Sequence, residues 1–150
     1  MKRRVLHVYQ DFYPKRGGIE DHILTLARTP SDAYEHMVLV AASGPVTRRE
    51  TVCGVPVVRA ATLGRYYTPF CPTMPAWIRE LSPAIVHLHH PSPMAFAAYA
   101  LARLPAPVVV GYHNDIVRPS ALLKLYAPLQ QAVLRRRTQS RAMPKPEGFI

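Results

Sequence analysis

The side chains of this sequence that could do chemistry gather in three short runs, each placed just after an apolar stretch. The first contains Tyr13, Lys15, Arg16, Gly17 and Gly18. A glycine pair ahead of an amphipathic segment lets the backbone approach a ligand with no Cβ in the way. Free N–H groups at the start of a helix favour a phosphate there. The pair matches neither G-x-G-x-x-G nor the P-loop pattern. Glu20 and Asp21, in the first helical turn, compete for the same dipole, so a plain tight turn is the other reading. The second run is His87-Leu-His89-His90. On a strand His87 and His89 share a face, which suits a metal pair completed by His113 or Asp115, a ligand contact at His89 or His90, or a hydrogen-bonded core histidine at His87. The third run is His113-Asn-Asp115, with Arg118 just beyond. An imidazole at a strand end donates to a sugar hydroxyl or orients a charged group near neutral pH. Asp115 binds a hydroxyl, holds His113 or caps the next segment, and Arg118 is a phosphate contact or a solvated charge.

The elements that position these runs follow from periodicity. Val5 to Tyr9 is a compact apolar run and reads as a strand buried on both faces. From Ile19 the period changes to that of a helix, with Ile19, Ile23, Leu26 and Ala27 on one side. Met37 to Ala42 is the next strand, parallel to the first because a helix separates them. Glu50 to Arg59 reads as a small hairpin turning at Cys53-Gly54, and Pro56, which cannot donate to a ladder, argues for the sheet edge. Gly64 to Pro75 is an aromatic, proline-rich loop, followed by a short helix at Trp77–Leu81. Ala84 to His90 is a strand, Met94 to Leu104 an alanine-dense helix and Pro107 to Tyr112 another buried strand. Leu122, Leu125, Tyr126, Leu129 and Val133 mark a last helix that Pro128 should kink. The order predicts an α/β fold, an open, doubly wound, Rossmann-like parallel sheet. In such sheets the ligand lies beyond the carboxyl ends of the strands, where all three polar runs fall.

The bulk composition bounds the alternatives. The 150 residues, 49% of them hydrophobic, suffice for one domain. Two cysteines without a CxxC spacing, and no signal-peptide core behind the basic start, place the chain in the cytoplasm. No stretch approaches the length of a membrane span. The net charge of +10 is spread as isolated pairs, with no basic stripe interleaved with aromatics, which argues against a nucleic-acid partner. Arg135-Arg136-Arg137 is the one dense basic run. It complements the dipole at a helix C-terminus, or with the apolar face of Leu122, Leu125 and Leu129 it makes peripheral contact with an anionic membrane.

Taken together, Val5-Leu-His-Val-Tyr9, Phe12-Tyr13-Pro14, Gly17-Gly18-Ile19-Glu20, Val86-His-Leu-His-His90-Pro91 and Gly111-Tyr-His-Asn-Asp115-Ile116 resemble the N-terminal domain of glycosyltransferase family 4. These are retaining enzymes of GT-B architecture, with two Rossmann-like domains. The resemblance runs from about Arg4 to Arg137. It implies an acceptor-side domain facing a donor domain that holds the nucleotide-diphosphate sugar. It implies that Gly17 and Gly18 approach the donor diphosphate and that His113, with Asp115, acts at the donor sugar. Tyr13, Arg16, Tyr67, His89, His90 and Arg118 would line the cleft or meet a glycan, lipid or small-molecule acceptor. It implies front-side displacement with no cofactor and no metal in the chemistry.

The family continues past its basic helix with a strand and the donor domain, whereas residues 138–150 follow no such pattern. The sequence is therefore expected to be an incomplete domain, residues 1–137, with a disordered tail and no activity of its own. Two other functions compete: a metal-dependent hydrolase using His87, His89 and Asp115, and a non-catalytic module that binds a partner through an open sheet edge.

Overall fold

The structure, a computed structural model, describes residues 1–63, 70–113, 127–128, 131–133 and 135. The elements run β1 (Arg3–Val8), α1 (Gly18–Arg28), β2 (Tyr34–Ala41), β3 (Arg48–Val52), β4 (Val55–Ala60), α2 (Met74–Glu80), β5 (Ile85–His90), α3 (Pro93–Ala102) and β6 (Val108–Tyr112). They match the periodicity reading to within a few residues. The last predicted helix lies largely outside the described residues, as does the expected tail. Of its apolar face only Val133 is described, and it is buried in the core.

The six strands form one sheet in the order β3-β4-β2-β1-β5-β6. All pairings are parallel except β3 with β4. The chain builds outward from β1 in one direction to β2 and β4, then returns to lay β5 and β6 on the other side. The switch point of this doubly wound sheet is therefore the β1–β5 pair, where His7 stands opposite His87.

Alternation along the strands sorts the core into two layers. Leu6, Val8, Leu39, Val86 and Leu88 pack with Met74 and Ile78 of α2 and Ala95 and Phe96 of α3. The opposite face places Val38, Val40, Val55 and Val57 against Ile23 of α1, with Ile19 and Ala27 packed alongside. Strands buried on both faces must be apolar at nearly every position, which is why β1, β2 and β5 read as unbroken hydrophobic runs. Histidines are the exception to that rule in β1 and β5, and they form the site.

The hairpin turns where the sequence placed it. Cys53 and Gly54 both adopt positive φ, 51° and 83°, the conformation of a two-residue turn matched to the twist of the flanking strands. One detail differs from the sequence reading. The edge strand of the hairpin is β3, not β4, the strand that carries Pro56. Pro56 sits opposite Thr51, one residue before β4 begins to pair with β2 at Val57. An imino nitrogen is tolerated there because the second ladder has not yet started.

Helix α3 begins at Ser92, whose hydroxyl accepts from the Ala95 N–H at 3.4 Å, with proline in the first turn. It ends where Arg103 turns left-handed at φ 51°. Its small residues lie directly on the sheet and orient the end of β5. Among the described residues no helix is long and apolar enough to cross a membrane.

Candidate functional site

A row of imidazoles crosses the α1 face of the sheet from β2 to the end of β6. His36 Nδ1 lies 2.9 Å from His7 Nε2, His7 Nδ1 lies 3.1 Å from His89 Nε2, and His89 Nδ1 lies 3.1 Å from His113 Nε2. His87 stacks on His89 with ring centroids 4.2 Å apart and stands 5.1 Å from the His7 ring. His22 of α1 meets His113 edge-on at 4.7 Å. The period of two along each strand produces this row. Val5, His7 and Tyr9 share a face, as do His36 and Val38, and His87 and His89.

Burial fixes the charge of these rings. His7 and His89 are 1% and 0% exposed. Burial, reinforced by the charge a protonated His87, His36 or His22 would bring, pushes His7 down to about 3. Burial first and the neighbouring histidines second push His87 down to about 4. The same causes drive His89 far below the usual imidazole range, and burial lowers His36 and His113 as well. All five are neutral at pH 7. A neutral imidazole has one donor and one acceptor, so four rings joined by three N···N contacts are satisfied when every N–H points the same way along the row. Two such registers exist, one the reverse of the other. They differ in which nitrogen of His113 carries the proton, and so in whether the remaining nitrogen offers a ligand a donor or a lone pair.

Gly111 makes room for the row. It pairs with His89 across the β5–β6 ladder, and a Cβ on it would stand 3.0 Å from His87 Nε2, 3.2 Å from His113 Nε2 and 3.3 Å from His89 Nδ1. Gly111→Val is expected to force these rings apart, costing about 1–3 kcal/mol as an overpacked core does and breaking the His89–His113 bond. Denaturant unfolding at pH 7 checks the first effect, and the imidazole NMR spectrum checks the second.

The glycine pair has a more specific setting than a bare turn. A Cβ on Gly17 would lie 2.5 Å from Glu20 Oε2, so the buried Glu20 side chain folds back over the start of α1 and needs a glycine beneath it. Gly18 has open space around it. The first turn of α1 thus carries a carboxylate on one side and bare backbone on the other, and His22 ties this turn to His113. The Tyr13 hydroxyl donates to Asp21 Oδ1, the Arg16 guanidinium lies 5.3 Å over the Tyr13 ring, and Arg59 donates to the Tyr13 carbonyl. Beside them a cavity of about 640 Å³ opens at the carboxyl end of β2, lined by Asp11, Lys15, Ser43, Arg48, Glu50 and Arg59 among others.

The site residues foreseen from sequence therefore divide. His89 and His113 meet at the switch point, and His22 links them to the helix that Gly17 and Gly18 open, with Tyr13 and Arg16 on the adjoining loop. His89 is buried beneath His113. His90 faces the other way, stacked on Tyr112 at 4.7 Å and edge-on to Phe96 at 6.3 Å, in the layer that holds α3. Asp115, Arg118 and Tyr67 lie outside the described residues. In the candidate metal cluster, His7 is the described residue that joins His87 and His89. His7, His22, His36, Arg48 and Arg59 were not singled out in the sequence. A histidine inside the apolar run of β1 was the available signal for the first.

Residues 16–143 match the model of the family described as Glycosyltransferase Family 4. The chain is 34% identical over 136 residues to the D-rhamnosyltransferase WbpZ of Pseudomonas aeruginosa, an alignment covering 87% of this chain and 36% of that protein. It is 31% identical over 142 residues to the O-antigen chain mannosyltransferase C of Escherichia coli, covering 87% and 37%. It is 33% identical over 94 residues to the GDP-mannose:cellobiosyl-diphosphopolyprenol alpha-mannosyltransferase of Xanthomonas oryzae pv. oryzae, covering 57% and 24%. The chain spans little more than a third of the length of the first two of these relatives.

Proposed function

The chain belongs to glycosyltransferase family 4, and on that footing we propose that it forms the acceptor-side half of a GT-B enzyme that moves a hexose from a nucleotide-diphosphate sugar. The observation that carries this reading is the meeting of three features at the switch point of the sheet. They are the open backbone at Gly18, His22 one turn further on, and His113 at the end of β6. Ligands of doubly wound sheets bind at that position.

In this reading the donor diphosphate approaches the start of α1 at Gly18, with Gly17 serving to seat Glu20. His113 presents an N–H to the donor sugar, on the side where negative charge develops as the diphosphate leaves. His89 holds His113 in place and supplies its proton register, and so acts as a positioning residue. Asp115 binds a sugar hydroxyl beside it, and Tyr67 and Arg118 belong to the surrounding wall. Tyr13, Arg16 and the cavity between Lys15 and Arg59 receive the acceptor. The relatives' activities favour a GDP-linked mannose or deoxymannose as donor and a lipid-linked glycan as acceptor. The reaction retains anomeric configuration and takes place at the cytoplasmic face of a membrane. A second GT-B domain supplies most donor contacts, so the isolated chain binds donor weakly and turns over little or none.

The test is calorimetric titration of the chain with GDP-mannose. Saturable one-to-one binding is expected, weakened about tenfold or more in His113→Ala because one hydrogen bond to a charged or polarised group is worth about 1.5–3 kcal/mol. Binding that is absent, or equal in the two proteins, would count against His113 as a donor contact.

A further inference from the structure

We infer that His7, His87 and His89 form a binding site for a first-row divalent transition-metal cation, Zn²⁺ being the natural occupant. One ring nitrogen from each of the three residues lies within 4.8 Å of the other two. His7 Nδ1 and His89 Nε2 face each other at 3.1 Å, close to the separation of about 3.4 Å that two nitrogens adopt on a tetrahedral ion with Zn–N bonds of about 2.0–2.1 Å. Rotation of the His87 ring, which is partly exposed, brings its nitrogen the remaining distance. An all-imidazole set suits Zn²⁺, Cu²⁺ and Ni²⁺ and disfavours Mg²⁺ and Ca²⁺, which take oxygen ligands.

The surroundings are arranged as such a site requires. Metal-bound histidines donate their other N–H to an outer partner that fixes tautomer and orientation. Here His7, bound through Nδ1, donates from Nε2 to His36 Nδ1 at 2.9 Å, and His89, bound through Nε2, donates from Nδ1 to His113 Nε2 at 3.1 Å. The ion replaces only the central His7–His89 hydrogen bond and leaves both outer ones intact. Gly111 keeps a Cβ out of the space between His87 and His89. Occupation turns the N–H groups of His7 and His89 outward from the ion, toward His36 and His113, so that His113 accepts at Nε2 and carries its own N–H on Nδ1. The site stands independently of sugar transfer, since it uses the buried end of the row.

The experiment is a Co²⁺ titration of the chelator-treated, tag-free chain, followed by competition with Zn²⁺. The expected result is a visible d–d band of tetrahedral intensity that saturates at one equivalent and is bleached by Zn²⁺. His87→Gln and His89→Gln should weaken binding by more than about 100-fold, and His36→Gln by about 10–100-fold, the range for loss of an outer partner. His90→Gln, on the opposite face, should not change it. The wild-type protein supplies a check that no folding defect can confuse. On Zn²⁺ addition the imidazole ¹⁵N resonances of His7, His87 and His89 should move, and that of His90 should not. No tetrahedral band, or Zn²⁺ shifts confined to other histidines, would overturn the assignment, as would unchanged affinity in folded His87→Gln and His89→Gln.

Discussion

Acidifying the chelator-treated chain from pH 7 to pH 5 is expected to destabilise it by about 6 kcal/mol, at a pH where most small domains lose little. The cause is the row of neutral imidazoles. His7 and His87 titrate at about 3 and about 4 in the folded protein and His89 lower still, whereas in the unfolded chain each takes up a proton near 6.5. A folded-state value below the unfolded one means that the unfolded chain binds more protons throughout the interval. The stability contributed by keeping these rings neutral is complete above about pH 6.5 and is lost as pH falls from there toward 4 and 3. Each ring costs about 1.4 kcal/mol per pH unit, so three together approach about 4 kcal/mol per unit, against a total stability of about 5–15 kcal/mol. Among the described residues, His36 from β2 and His113 after β6 face the cluster and add positive charge when protonated, and Tyr9, which burial pushes up to about 12, stays uncharged. Carboxylates as a class titrate below this window. Trp77 on α2 reports the transition by fluorescence. His7→Leu should flatten the pH slope by about a third while lowering stability at pH 7 by about 1–3 kcal/mol, because buried His89 Nε2 loses its partner. A wild-type stability that stays level between pH 7 and 5 would show that the rings are not held neutral by burial.

The second large effect belongs to turnover. With residues 1–137 joined to the donor-binding half of a relative such as WbpZ, His113→Ala is expected to lower kcat for sugar transfer by about 10²–10³-fold, the loss seen when one preorganised donor to developing charge is removed. KM for the donor should rise by about the tenfold lost in ground-state binding, so that the larger part of the effect falls on kcat, because the interaction strengthens as the diphosphate departs. His113→Asn, which keeps an N–H donor, should recover part of the rate. His89→Gln should fall between the two, because it removes the ring that orients His113 and leaves His113 itself. Equal kcat in the chimera and its His113→Ala form would remove His113 from the reacting centre.

Much of this was legible in the sequence because local signals and tertiary context agree. The apolar runs of β1, β2 and β5 are long enough to demand burial on both faces, and the turn at Cys53-Gly54 marks its hairpin, whereas β6, read as another buried strand, leaves Val109 and Tyr112 exposed. The polar runs after them fall at the carboxyl ends of strands, which is why Gly17, Gly18, His89 and His113 could be grouped before the fold was known. Pairing was what the sequence left open. His7, His36 and His22 come from three separate elements, and only the crossover that places β5 beside β1 sets His7 opposite His87. His90 follows His89 directly, but strand alternation turns it to the other layer. Pro56 signals interrupted pairing, yet which hairpin strand is outermost depends on the parallel partner that β4 finds in β2.

A continuous row of neutral imidazoles leads across the sheet to His113, the proposed ligand contact. Histidine-selective ¹⁵N NMR of the wild-type chain at pH 7, with and without GDP-mannose, tests it most directly. The expected spectrum shows neutral tautomers for His7, His87, His89 and His113. On addition of GDP-mannose a saturable shift should appear that is largest at His113 and smaller at His89. Imidazolium resonances within the row, or a ligand shift that leaves His113 unmoved, would contradict it.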